Sequence, residues 1–90
     1  MKVIVLGDAD DVHGFALLGV QGQTCQDARE AETHLTRIGA PDAAVGLVMI
    51  APRVARLAAR TVERLRQREG GPAVVVLPEI SPKSKVQGPK

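Results

Sequence analysis

Three apolar runs, a fourth weaker one and helical stretches between them predict an α/β fold, a single small domain with a four-stranded parallel sheet flanked by helices. Lys2-Val3-Ile4-Val5-Leu6-Gly7, Val45-Gly46-Leu47-Val48-Met49-Ile50-Ala51 and Ala73-Val74-Val75-Val76-Leu77 are rich in β-branched residues and do not alternate. That is the pattern of strands buried on both faces. The segments between them place apolar residues at helical spacing, and connections this short leave parallel pairing with right-handed crossovers.

The first strand stops at Gly7-Asp8, and Asp10 or Asp11 can cap a short helix from Val12 to Leu18, with Phe15 and Leu18 on one face and Gly19 ending it. Residues 20–25 alternate weakly around a glycine and read as a poor edge strand. From Thr24 onward the pattern is helical: Ala28, Ala31, Leu35 and Ile38 share a face, Arg29, Glu30, Glu32 and Arg37 take the others, and Gly39 with Pro41 closes the segment. After the next strand, Pro52 suits a first helical turn. A third helix over residues 52–69 then buries Val54, Leu57, Ala58, Thr61 or Val62, and Leu65 before Gly70-Gly71. The last strand is expected to be buried and to end at Pro78. A flavodoxin-like strand order, 2-1-3-4, puts the weak strand at an edge and the first and third strands inside. The domain is expected to span residues 1–80, with residues 81–90 a basic, disordered tail rich in turn formers.

The 90 residues allow one core, and that core is light: the apolar fraction of 44% includes one Phe and neither Trp nor Tyr. The single cysteine, Cys25, excludes an internal disulfide, and two histidines supply no zinc-type ligand set. Both fit a reducing, cytoplasmic setting. Between Lys2 and Gly7 only Val3 to Leu6 are apolar, too few for a signal sequence or a membrane span, so no membrane insertion is expected. The net charge of +2 hides a strong asymmetry. Residues 1–50 carry three cations against seven carboxylates, a net of −4; residues 51–90 carry nine against three, a net of +6.

No reacting centre emerges. Asp8, Asp10 and Asp11 stand where parallel sheets bind ligands, and receiver domains of response regulators hold Mg²⁺ with an acidic pair there. A receiver also needs an Asp at the end of the third strand and a Lys at the end of the fourth, where this chain has Ile50-Ala51-Pro52 and Leu77-Pro78. Turn and cap roles therefore suit the three acids best. The turn Gly7-Asp8-Ala9-Asp10-Asp11 lacks the glycine pattern of a phosphate cradle, and its carboxylates repel phosphate, so no cofactor is expected. Cys25, His13, His34, Ser81 and Ser84 assemble into no triad. Cys25 reads as a small apolar filler and the histidines as surface or capping residues. Arg53, Arg56, Arg60 and Arg64, spaced 3, 4 and 4 apart, form one stripe along the third helix. Such a stripe is either a solvated face or a strip that meets acidic residues of a protein partner. Nucleic acid is not expected, because aromatic residues that stack bases are missing.

Val3-Ile4-Val5-Leu6-Gly7-Asp8 followed by Val12, then Gly14-Phe15 and Leu17-Leu18-Gly19-Val20, resembles the amino-terminal signature of the F subunits of V-type and A-type rotary ATPases. The likeness continues through the third strand, the helix from Pro52 and the last strand near Pro78, covering about residues 2–80. It implies a non-catalytic rotor component docked on the coiled-coil D subunit of the central stalk and touching the C subunit, the socket above the membrane ring. Within such a complex the chain is cytoplasmic and peripheral to the membrane, and it has neither active site nor cofactor of its own. Phe15 and the arginines at 53, 56, 60 and 64 are the candidate partner contacts. Members of the family usually continue into a mobile carboxyl-terminal regulatory helix, whereas Ser81–Lys90 contains two prolines and no amphipathic period. Two other classes fit the same fold, a receiver-like signalling domain and a stand-alone adaptor.

Overall fold

Strands β1 (Lys2–Gly7), β2 (Gln21–Thr24), β3 (Val45–Ile50) and β4 (Ala73–Val76) alternate with helices α1 (Ala9–Ala16), α2 (Ala28–Ile38), α3 (Pro52–Leu57) and α4 (Ala59–Gln67) in a computed structural model. The structure describes residues 2–78; the expected tail at 81–90 lies outside them. All pairing is parallel and the strand order is β2-β1-β3-β4, as expected. Between β1 and β3 the register slips once, after the Lys2–Val45 pair, and Gly46 is the extra residue.

Helix α1 begins earlier than expected because Asp8, not Asp10 or Asp11, is its cap. The Asp8 carboxylate accepts from the Asp11 amide at 3.0 Å, and the Asp11 carboxylate accepts from the Asp8 amide at 3.2 Å. This reciprocal box satisfies two amides that a helix start leaves open. The helix also ends sooner, at Ala16, where the Leu18 and Gly19 amides donate to the Phe15 and Ala16 carbonyls. Gly19 takes the left-handed conformation, φ +84°, that closes this turn at little cost. Leu18 therefore leaves the face it was expected to share with Phe15 and is 77% exposed. Helix α2 starts at Ala28, later than Thr24, because Asp27 caps it by accepting from Glu30 at 2.9 Å. Ala31, Leu35 and Ile38 are buried as their spacing predicts, while Ala28 is exposed.

The long third helix is in fact two. At Ala58 the backbone turns to φ −129°, ψ 44°, which ends α3 and starts α4. The burial period crosses the break undisturbed, with Val54, Ala58, Val62 and Leu65 all buried and Leu57 half-buried. That continuity hides the break from the sequence.

The sheet has two unequal faces. On one, Leu6, Val48 and Ile50 pack against Ala31, Leu35, Val54, Val62 and Leu65 of α2, α3 and α4 in a continuous core. On the other, α1 alone lies over β1 and β2 and contributes no fully buried residue. Val5 is the buried strand residue of that side. Gly22, its neighbour in register, explains the close fit, since a Cβ there would stand 2.9 Å from the side chains of Val5 and Val12. The expectation of a buried last strand is overturned: Ala73, Val75 and Val76 are exposed and only Val74 packs on the core. β4 lies at the sheet's edge beside β3, beyond the reach of α1.

Candidate functional site

Parallel α/β sheets hold ligands beyond the carboxyl ends of their strands, where the strand order reverses. Here that point lies between β1 and β3, and the chain closes it with its own polar groups. The Cys25 amide donates to the Gly7 carbonyl at 2.9 Å, Ala51 to Leu6 at 2.8 Å, and Leu77 to Ile50 at 2.8 Å. Across the same edge the Arg53 guanidinium, at the start of α3, donates to the Cys25 carbonyl at 2.9 Å and the Gln26 carbonyl at 2.7 Å. These links tie the β2–α2 turn to the β3–α3 turn.

The acids of this edge are used in the same way. Asp8 and Asp11 cap α1, and partial burial raises the Asp11 carboxyl above its ordinary range, opposed by its bond from the Asp8 amide and reinforced by the nearby Asp8 and Asp10 charges. Cys25 is fully buried and its thiol is pushed up, first by burial and then by Glu30, with Arg53 opposing. A thiol held in its neutral form is a poor nucleophile. No group of three or more His, Cys, Asp or Glu side chains among the described residues is placed to hold a metal ion.

The fold places Phe15 and the four arginines on helices that pack against opposite faces of the sheet. Phe15 is half-buried on α1, and its carbonyl accepts from the Leu18 and Val20 amides at 2.9 and 3.0 Å. Arg53 and Arg56 sit on α3, Arg60 and Arg64 on α4, with the break at Ala58 between the two pairs. All four are exposed, though Arg53 spends its guanidinium on the two carbonyls named above. His13 is exposed, whereas His34 is half-buried at a depression shared with Lys2, Gln23 and Arg37. Arg64 edges a groove of 460 Å³ between α2 and α4, whose floor is Leu35 and Leu65. At its end Arg68 donates to the Gly39 carbonyl and so satisfies the end of α2.

A feature absent from the candidate residues is the open half of the α1 face. Val3 and Val5 pair in register with Leu47 and Met49, which pair in turn with Ala73 and Val75, so these six side chains project to the same side. Leu47 and Met49 are half-buried and Val75 is 44% exposed. The signal for it was present in the strand order: with right-handed crossovers, order 2-1-3-4 sends only the first helix to this side.

Comparison with known proteins gives one consistent result. Residues 3–88 match the model of the family described as ATP synthase (F/14-kDa) subunit. The chain is also 32% identical over 77 residues to the F subunit of the V-type ATP synthase of Fusobacterium nucleatum, an alignment covering 86% of this chain and 70% of that relative. No helix among the described residues is long and apolar enough to cross a membrane.

Proposed function

The chain belongs to the family described as ATP synthase (F/14-kDa) subunit, and from that premise we propose that it is a non-catalytic rotor component of a V-type or A-type ATP synthase. In this reading it docks on the coiled-coil D subunit of the central stalk and contacts the C subunit, the socket above the membrane ring. It takes part in coupling ATP synthesis or hydrolysis to ion transport by holding its place while torque passes through the stalk. Its position is cytoplasmic and peripheral to the membrane. The observation that carries the reading is the family match along residues 3–88. The carboxyl edge supports a non-catalytic role, because Asp8, Asp11 and Arg53 are engaged there in folding bonds.

A stable rotor contact buries on the order of 1,200–2,000 Å² in total. Phe15 and the arginines at 53, 56, 60 and 64 are the contacts proposed on residue chemistry. Arg53 holds the β2–α2 turn as well, so any share it has in docking comes with a structural one. Arg60 and Arg64, exposed on α4, suit steering toward an acidic surface.

Co-expression with the coiled-coil stalk protein of the same rotary ATPase, followed by size-exclusion chromatography with light scattering, tests the reading. A 1:1 complex is the expected result, and two separate peaks at micromolar concentration would overturn it. Replacing Arg60 and Arg64 by Glu should slow association and alter its salt dependence. Unchanged association would remove these arginines from the interface.

A further inference from the structure

We propose that the groove between α2 and α4 binds a tetrahedral oxyanion of the phosphate class, held by the guanidiniums of Arg64 and Arg68 and the hydroxyls of Thr36 and Thr61. The site does not depend on the rotor reading, and its test needs no partner protein.

The chemistry of the lining is one-sided. Among the described residues two guanidiniums, two hydroxyls and the Gln67 amide border the groove, and no carboxylate does. Acids of the same segments face elsewhere: Glu32 lines a separate depression with Arg29, and Glu69 lines another that Arg68 also edges. Arg64 and Arg68 are four residues apart, the spacing at which like charges on a helix repel. An anion between them replaces that repulsion with two attractions. The floor beneath, Leu35 and Leu65, is buried, so these charges act against a wall that screens them less than water does.

Part of the site is fixed in advance. The bond from Arg68 to the Gly39 carbonyl holds its planar guanidinium at one end of the groove and leaves its other N–H donors for a ligand. Thr61 is half-buried beside the floor. Arg64 is exposed, and no bond engages its side chain among the described residues, so it can close over a bound anion. Two guanidiniums, two hydroxyls and an amide supply more donors than the two oxygens of a carboxylate can use. A phosphate group presents at least three acceptor oxygens and suits the planar fork of arginine.

Positive charge near the end of a helix also offsets the helix dipole. That role needs no groove: Arg66 stands in the same last turn of α4, exposed and outside the lining. A nucleotide base finds nothing to stack on, because the lining holds no aromatic ring and the one Phe of the chain lies on α1. The groove, at 460 Å³, is roomier than a bare ion requires, so it admits inorganic phosphate or the head of a phosphate monoester. The phosphate group is the part that the lining recognises.

The test is an amide-resolved NMR titration of the full chain with inorganic phosphate at constant ionic strength, repeated with β-glycerophosphate and with acetate. Saturable shifts centred on Thr36, Gly39, Thr61 and Gln67 are expected with the phosphates at millimolar concentration. Arg64→Gln, an exposed change, should weaken binding about tenfold, the scale of one lost charged hydrogen bond. Arg66→Gln, which removes the same charge outside the groove, should leave the affinity unchanged. Tighter binding of inorganic phosphate marks the free ion as the ligand and tighter binding of β-glycerophosphate marks a monoester; either upholds the site. Shifts that do not saturate, or equal weakening by the two substitutions, reveal a general attraction to basic surface and overturn it. Acetate that binds as tightly as phosphate overturns the phosphate class and points to the carboxylates of an acidic protein partner.

Discussion

The two faces of the sheet are made from the same residue types and have opposite energetics. Leu6 and Val5 are neighbours in β1, both fully buried, yet Leu6 joins a core supplied by three helices whereas Val5 is covered by one short helix. One strand further along, Ile50 is fully buried and Met49, adjacent in sequence, is not. Side-chain chemistry is not what separates them. What differs is how many helices the topology sends to each side. The three-helix face holds the fold together; the one-helix face leaves apolar surface open to solvent.

The sharpest way to break this contrast is Leu6→Ala. It should cost about 2–5 kcal/mol in urea unfolding, because a fully buried leucine leaves both lost transfer energy and a cavity. Gly22→Val attacks the other side where α1 is tightest. The new side chain meets Val5 and Val12, and a loss of about 1–3 kcal/mol is expected, with α1 displaced. Arg53→Met keeps the aliphatic stem and removes both bonds to the β2–α2 turn; about 1–2 kcal/mol should be lost, accompanied by faster amide exchange near Cys25. Met49→Ala, next to Ile50 but on the open face, should cost less than about 1 kcal/mol in the isolated chain, because much of its side chain is still wet. Equal losses at Leu6 and Met49 would erase the distinction between the faces.

The smallest effect belongs to pH. The folded chain raises the Asp11 carboxyl above its ordinary value of 3.8, so in the window just above that value the native state binds more protons than the unfolded one. Stability must then fall as pH rises through that window. Asp11→Asn keeps an oxygen to accept from the Asp8 amide and removes the titration. It should flatten that part of the stability profile and leave stability at neutral pH unchanged or slightly higher.

Much of this architecture was legible in the sequence because it depends on local rules. Non-alternating runs marked β1 and β3, the 3-4-3 spacing of Ala28, Ala31, Leu35 and Ile38 marked α2, and the element order led to 2-1-3-4. Features that depend on competition between neighbours were not legible. Three aspartates within four residues could each cap α1, and only the reciprocal bonds of Asp8 and Asp11 choose between them. Ala58 breaks a helix without disturbing its burial period. The valines of β4 read as buried because apolar character reports what a strand can pack against, not whether a helix is there to meet it. The bonds of Arg53 were hidden for a related reason: spacing locates side chains on an ideal helix, and Arg53 found carbonyls 28 and 27 positions away in the chain.

The outer edge of β4 carries a consequence for the life of the protein before assembly. Among the described residues Ala73–Val76 pairs only with β3, and Val75 and Val76 are 44% and 36% exposed. A valine-rich edge without a charge is a template on which another strand can add. Newly made copies that outnumber their partners therefore carry a liability toward aggregation. A copy whose edge stays uncovered presents chaperones and proteases with a strand ready to add to another.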